Sequence, residues 1–349
     1  MKVAICSGGT GGHMFPACAL LSALEKNGHT VSLITDTRGN VFCPDVCNKI
    51  ILETIRLSLK KIPMIIGEFT NSSLKIFRTW RKNRPDVVVG FGGMFTLIPI
   101  LVAKCLGAKV VLYEQNSVIG KANRLLCRIS DLNLSFFDHG DEWKRIPSPV
   151  RKEFEKFRDI PYVCDENIKI VVIGGSQGAK SFSRIIPGAL ERLDPLIRKN
   201  IEIIQQVDEK NHKILEERYR NLGIKFTLKN FIHNMADEIS NSQLVICRSG
   251  ASTLAELSTM GRPAILIPYP SATDNHQLLN AMHYIKNQAA WMLPEENEIE
   301  EKLFLIINEI LSNRELLKSA ASNMMNSSTS DSTQLFVQLI EVLCEKISY

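Results

Sequence analysis

The chain contains no C-x-x-C pair, and its nine cysteines are scattered singly over 349 residues. An odd, dispersed set argues against a disulfide framework or a cysteine-held zinc and fits a reducing compartment. There is no Gly-x-Ser-x-Gly, no Walker loop and no His-Glu-x-x-His, which removes the common hydrolase, ATPase and zinc-protease classes. Asp-x-Asp is absent too, so there is no adjacent carboxylate pair to hold a divalent ion, and no metal or cofactor is expected. The basic region and apolar core of a signal peptide are missing, because a strand-like Lys2–Cys6 runs straight into glycines. A cytoplasmic location is the expectation. Residues 87–103 carry no charge and approach the length of a membrane span, but Gly90, Gly92 and Gly93 interrupt them. A buried strand, a glycine turn and an apolar helix account for the same residues.

What is present is ordinary globular composition, with 45% hydrophobic and 23% charged residues, in a chain long enough for two domains. The net charge of +5 is unevenly spread: residues 1–150 hold 19 basic and 11 acidic side chains, the remainder 23 and 26. Much of the excess lies in residues 56–84, where eight basic residues face a single acid, Glu68. Apolar side chains are mixed among them. Lys60, Lys61, Ile65, Ile66, Phe77 and Trp80 suit contact with an anionic lipid surface, each nearby Lys or Arg contributing about 1 kcal/mol. A solvated helix face with an apolar core side would explain the same pattern. Nucleic acid is disfavoured, since no binding motif accompanies the charge.

Strand-like runs alternate with helix-like segments throughout, which predicts parallel sheets with crossover helices. Strands are expected at residues 3–6, 30–35, 87–89, 110–113 and 132–135. After an irregular stretch at 146–167 the pattern restarts at 168–173, 201–205, 225–228, 244–247 and 264–267. Two strand-then-glycine openings imply two Rossmann-like domains in tandem. Residues 1–155 together with an amphipathic tail helix at 334–349 form the expected first domain, and 156–333 the second.

The chemistry-bearing motifs sit where strands end. Gly8-Gly9-Thr10-Gly11-Gly12-His13 opens a helix, whose unpaired amides and dipole make an anion site. It lacks the G-x-G-x-x-G spacing of ordinary dinucleotide folds, and Asp36 is the one acid ending the next strand. Gly90-Phe91-Gly92-Gly93 repeats the device, and Gly174-Gly175-Ser176-Gln177-Gly178-Ala179 opens the second domain. Ligands of open α/β sheets lie beyond such strand ends, so a phosphate-bearing ligand is the economical reading. In residues 247–256, Thr253 and Glu256 read as a capping box; with a helix starting near Ser249, Glu256 would instead offer its carboxylate to vicinal ribose hydroxyls. Asp274, Asn275, His276 and Gln277 form a polar cluster at a helix start, where Asp274 could serve simply as N-cap.

Together with Tyr113-Glu114-Gln115-Asn116, Pro149-Val150-Arg151 and Cys247-Arg248-Ser249-Gly250-Ala251, these motifs closely resemble the MurG-type N-acetylglucosaminyltransferases of bacterial peptidoglycan synthesis, in the right order over nearly the whole chain. The resemblance implies the α/β GT-B fold, two Rossmann-like domains whose parallel sheets face an interdomain cleft. It implies a first domain that faces acceptor and membrane and a second that binds the UDP-sugar. The implied reaction moves N-acetylglucosamine from UDP-N-acetylglucosamine to undecaprenyl-pyrophosphoryl-muramyl-pentapeptide (lipid I), inverting the anomeric centre and giving lipid II. The implied location is the cytoplasmic face of the inner membrane, where cell-wall synthesis proteins are candidate partners.

Carried over residue by residue, Thr10, Gly11, Gly12, Asn116, Arg151, Ser176, Ile232, Ala251, Thr253, Glu256 and Gln277 would border the donor. Ser176 would meet the diphosphate, Arg151 the nucleotide, the Ile232 backbone uracil, Glu256 ribose, and Gln277 with Asn116 the sugar. Gly11, Gly12, Gly92 and Gly93 would meet the acceptor pyrophosphate, and His13 is the candidate general base, with a structural or acceptor-binding histidine as the alternative. Without an Asp-x-Asp, helix dipoles and backbone donors would have to stabilise the leaving group. Met94-Phe95-Thr96-Leu97-Ile98 replaces the Tyr-Val-Ser-Gly-Pro usual in the family, so the second glycine loop could grip the acceptor differently and its helix start could shift. The competing readings are another GT-B enzyme such as a UDP-N-acetylglucosamine 2-epimerase, or a non-catalytic nucleotide-binding subunit.

Overall fold

The computed structural model describes residues 1–43, 46, 48–52, 62–164, 166–174, 179–327 and 332–345, with 62–69 described by their backbone alone. The chain divides into two compact units, Met1–Arg151 with Ser330–Tyr349, and Lys152–Thr329.

The first unit is built from β1 (Lys2–Cys6), α1 (Gly11–Lys26), β2 (Thr30–Asp36), β3 (Lys49–Leu52), α2 (Ile62–Lys82) and β4 (Val87–Gly90). It continues through α3 (Leu97–Cys105), β5 (Lys109–Glu114), α4 (Lys121–Leu126), β6 (Leu132–Ser135) and β7 (Lys144–Arg145). The second contains α5 (Lys152–Glu155), β8 (Ile168–Ile173), α6 (Phe182–Leu190), α7 (Pro195–Arg198), β9 (Ile201–Gln206), α8 (Glu209–Leu222) and β10 (Lys225–Lys229). It then adds α9 (Met235–Ser240), β11 (Leu244–Cys247), α10 (Ala251–Met260), β12 (Ala264–Leu266), α11 (His276–Lys286), β13 (Ala290–Met292), α12 (Ile299–Ser312) and α13 (Glu315–Asn326). A last helix, α14 (Ser332–Glu345), belongs again to the first unit.

Both sheets are parallel, in the orders β3-β2-β1-β4-β5-β6-β7 and β10-β9-β8-β11-β12-β13. These are doubly wound Rossmann orders, as the alternation of apolar runs predicts. A parallel sheet with helices on both faces buries every side chain of its central strands, so those strands are unbroken apolar runs. Val87, Val88, Val89, Val110, Val111, Ile170, Val171 and Val172 are fully buried. The order reverses between β1 and β4 in one unit and between β8 and β11 in the other, and each reversal opens a crevice at the strand C-termini. The glycine motifs follow these four strands.

Residues 87–103 form β4, a glycine turn, a short 3-10 turn (Met94–Thr96) and α3, and no helix among the described residues is long and apolar enough to cross a membrane. Phe336 of α14 packs 5.4 Å from Tyr113 and 6.2 Å from Phe91, ring centre to ring centre. Glu341 of the same helix meets His29 Nε2 at 2.8 Å, so the last helix completes the first unit.

Two expectations need correction. Cys18 on α1 is paired with Cys43, their Cα atoms 6.5 Å apart, within the usual disulfide span, so these two do not stay free as a set of isolated thiols would. Trp80 does not face outward: it is 3% exposed and sits with Ile76 in the core between α2 and the sheet, because the apolar stripe of α2 on that side is needed there. Phe77, 37% exposed, and Leu74 do lie on the outer face beside Arg78 and Arg81, whereas Lys60 and Lys61 fall outside the described residues, as do the side chains of Ile65 and Ile66.

Candidate functional site

In the first unit the loop after β1 is held from beneath by Asp36, at the end of β2. Its fully buried carboxylate accepts from the backbone N–H of Gly9 at 2.9 Å and of Gly39 at 2.7 Å, and from Arg38 at 3.1 and 3.2 Å. Asp36 therefore shapes the loop rather than reaching a ribose. Gly9 has φ +88°, a conformation a side chain would strain. Thr10 is the N-cap of α1, with no side-chain cap bond, and Gly11, Gly12 and His13 form the first turn. Within that turn the His13 amide donates to Thr10 O at 3.1 Å.

The second glycine turn follows β4, the neighbour of β1. Phe91 N donates to Cys6 O at 2.9 Å, which keeps the turn in step with the first loop. Gly92 and Gly93 both have φ near +80°, at +82° and +81°. A Cβ on Gly92 would lie 3.3 Å from Asn123 Nδ2 and 3.6 Å from His13 Cε1, so the turn lies against the histidine. His13 Nδ1 is 2.7 Å from Phe91 O and 2.6 Å from Gln115 Nε2. Thr10, Gly11, Gly12, His13, Gly92 and Gly93 are thus gathered at one crevice, the switch point of the sheet.

Asn116 follows Gln115 at the end of β5. The buried Glu114 fixes it, accepting from Asn116 N at 3.0 Å and Nδ2 at 3.3 Å and also from Gly120 N and Asn123 Nδ2. Arg151, where the first stretch of the unit ends, lies with its guanidinium 4.5 Å from the centre of the Phe15 ring on α1, a cation–π contact.

In the second unit Gly175, Ser176, Gln177 and Gly178 fall outside the described residues. The loop after β11 is fully described. Gly250 is the N-cap of α10, with no side-chain cap bond, and Ala251, Ser252 and Thr253 form the first turn beyond the strand end. Thr253 lies inside the helix, which rules out the capping-box reading, and Glu256 is a turn and a half in, 7% exposed.

Ser249 Oγ donates to Gln277 O at 2.7 Å and Asn280 Nδ2 to Ser249 O at 3.2 Å, tying this loop to α11. Gln277 Oε1 accepts from Tyr269 N at 2.9 Å. Asp274 and Asn275 are both left-handed, at φ 52° and 53°, and the N-cap of α11 is Asn275, so Asp274 does not have that duty. Non-glycine residues in that region cost energy. Ile232, 2% exposed, lies in the segment after β10.

Arg248 was not singled out by sequence reasoning. Nearly buried, it pairs with Glu295 at 2.7 Å, donates to the carbonyls of Ile267 and Pro268 and to Ser181 Oγ, and lies between the rings of Phe182 and Tyr269. It fastens α6, β11 and the segment after β12 into one strand-end surface. Its position directly after a buried strand was the available signal. Burial pushes the neighbouring Cys247 thiol up to about 12, so it stays a protonated core group. Among the described residues no cluster of His, Cys, Asp or Glu is placed to hold a metal ion.

Comparisons with known proteins agree with this anatomy. Residues 3–132 match the Glycosyltransferase family 28 N-terminal domain and residues 169–336 its C-terminal domain. A Rhodospirillum rubrum protein named UDP-N-acetylglucosamine--N-acetylmuramyl-(pentapeptide) pyrophosphoryl-undecaprenol N-acetylglucosamine transferase is 33% identical, covering 99% of this chain and 92% of its own. A Rhodospirillum centenum protein of the same name is 35% identical over 92% of this chain and 88% of its own. The crystal structure of Acinetobacter baumannii MurG superposes with a TM-score of 0.84 at 26% identity, covering 97% of this chain and 99% of that one. A Neisseria meningitidis UDP-GlcNAc 2-epimerase, at 12% identity and a TM-score of 0.68, shares the fold.

Proposed function

Because the chain belongs to the UDP-N-acetylglucosamine–N-acetylmuramyl-(pentapeptide) pyrophosphoryl-undecaprenol N-acetylglucosamine transferase family, we infer that it transfers N-acetylglucosamine from UDP-N-acetylglucosamine to lipid I, giving lipid II. The observation that carries the site-level reading is the gathering of both glycine turns and His13 at the switch point of the first sheet. Such a crevice suits an anion next to a base.

In this reading the acceptor's pyrophosphate is met by the amides of Gly11 and Gly12 and by Gly92 and Gly93. The oxygen of the muramyl 4-hydroxyl attacks the anomeric carbon of the donor and forms the new C–O bond. The bond from that carbon to the diphosphate breaks with inversion, its electron pair leaving with UDP. The hydroxyl proton passes to His13 Nε2. Amides at the start of α10 (Ala251, Thr253) and the loop of Ser176 steady the departing diphosphate. Glu256 holds the ribose hydroxyls, the Ile232 backbone uracil and Arg151 the nucleotide, while Gln277, Asn116 and Thr10 border the sugar. The outer face of α2, with Phe77 and its basic neighbours, rests on the anionic cytoplasmic face of the membrane, where the lipid acceptor and other cell-wall synthesis proteins would be met.

The test is a transfer assay with a short-chain lipid I analogue. The wild type should release UDP and lengthen the acceptor by one sugar, while His13→Ala should lose about 10²-fold or more in kcat with the donor KM little changed. UDP release with epimerised sugar and no dependence on acceptor would replace this reading with an epimerase.

A further inference from the structure

The contacts of His13 contain a contradiction whose resolution assigns a role to a residue the proposed reaction leaves idle. Nδ1 stands 2.7 Å from the Phe91 carbonyl oxygen and 2.6 Å from the nitrogen of the Gln115 amide. A carbonyl oxygen can only accept, so at that separation Nδ1 carries a proton. A protonated Nδ1 facing an amide NH2 sets donor against donor. The alternative, a lone pair on Nδ1 receiving the Gln115 N–H, turns the Phe91 oxygen against that lone pair.

Oxygen and nitrogen of a primary amide have nearly the same shape, and their placement follows from the network. Turning the Gln115 amide over places Oε1 opposite Nδ1–H, and one shared proton then serves two acceptors. The count of partnerless amide atoms does not rise, because Oε1 is buried without a partner before the turn and Nε2 takes its place after it.

Both acceptors are rigid. Phe91 follows β4 and Gln115 follows the adjacent β5, in strands paired through Gly90 and Leu112. Phe91 is fully buried and Gln115 is 2% exposed. Among the described residues Nε2 of His13 has no hydrogen-bond partner.

We propose that Gln115, acting with the Phe91 carbonyl, is a positioning residue that holds His13 as the Nδ1–H tautomer and so makes Nε2 the basic nitrogen that faces the acceptor hydroxyl. This rests on the reading of His13 as the base. It also selects the tautomer opposite to the one that predominates in free histidine, which is why a dedicated pair of acceptors is needed.

The experiment uses the full chain with ¹⁵N-labelled histidine, the His13 ring signals being assigned by their loss in His13→Gln. In the wild type the neutral ring should show Nδ1 protonated and Nε2 bare. Gln115→Leu, which removes the second acceptor, should shift the population toward Nε2–H and lower kcat about tenfold at unchanged donor KM, a fraction of what a positioned base supplies. Gln115→Glu, which keeps an acceptor oxygen, should retain the tautomer and most of the rate. An Nε2–H ring in the wild type overturns the proposal, as does a Gln115→Leu protein with a lower Tm but unaltered ring signals and kcat. If Gln115→Leu moves the tautomer and turnover does not respond, the positioning stands and His13 is not the base.

Discussion

Asp36 shows how much of the first loop's shape depends on one carboxylate. It is buried, and two backbone amides from different segments, Gly9 and Gly39, converge on it. Asp36→Ala would leave both donors without a partner, at about 1–3 kcal/mol each. The expected result is a loss of roughly 2–6 kcal/mol in denaturant unfolding, together with weaker acceptor binding, because the loop presenting Thr10 to Gly12 loses its anchor. Unchanged stability would mean that Arg38 and solvent take over both amides. This role was not legible in the sequence: Asp36 could be read only by its distance from a glycine motif, and the group it serves is brought to it by folding. His13 and the glycines were legible because strand end, glycine and helix start are adjacent in the chain. Gln115 stood inside a recognised motif, but its work depends on a turn 24 residues away, at Phe91, which local spacing does not show.

At the scale of elements, central strands were easy to read because burial on both faces writes them as apolar runs. The edges were not. β3 and β13 are half-exposed strands of four and three residues, too short to show a period. In α2 the apolar stripe was visible, but which side met the sheet was not, hence Trp80 in the core and Phe77 outside. That outer face yields a prediction: Phe77→Glu should reduce cosedimentation with vesicles containing anionic lipid severalfold at low salt, while leaving turnover on a soluble acceptor analogue intact. Equal pelleting of both proteins would make the face a merely solvated one.

A second prediction concerns α9, where Glu238 reaches Lys169 of β8 at 2.9 Å and Lys229 of β10 at 2.8 Å. Burial alone would raise its pKa, but the bonds from Lys229 and Lys169 outweigh that and hold the carboxyl below the usual carboxylate range. A group depressed on folding stabilises above its unfolded value, near pH 4.5, and loses that contribution as pH falls through the folded one. Glu238→Gln should therefore cost about 1–3 kcal/mol at pH 7 and nothing extra in stronger acid, so the two unfolding curves should converge as pH drops below 4 or so. Parallel curves down to the acid limit would remove Glu238 as the cause.

For the molecule as a whole, the return of α14 to the first unit matters most. Phe336 is fully buried against Phe91 and Tyr113. Phe336→Ala should destabilise the first unit by about 3–5 kcal/mol and slow turnover, since the Phe91 carbonyl it supports is the one that holds His13. A stable variant whose rate is unchanged would show that the aromatic trio is only ballast. The tail helix was visible as an amphipathic segment, but an amphipathic pattern says that a partner exists and not which side chains supply it. The order of synthesis follows from this arrangement. A ribosome finishes the second unit before it delivers the side chain that seals the first, so nascent chains still attached carry an exposed aromatic pair and an unfinished histidine pocket, and the enzyme can become active only after its last helix has emerged.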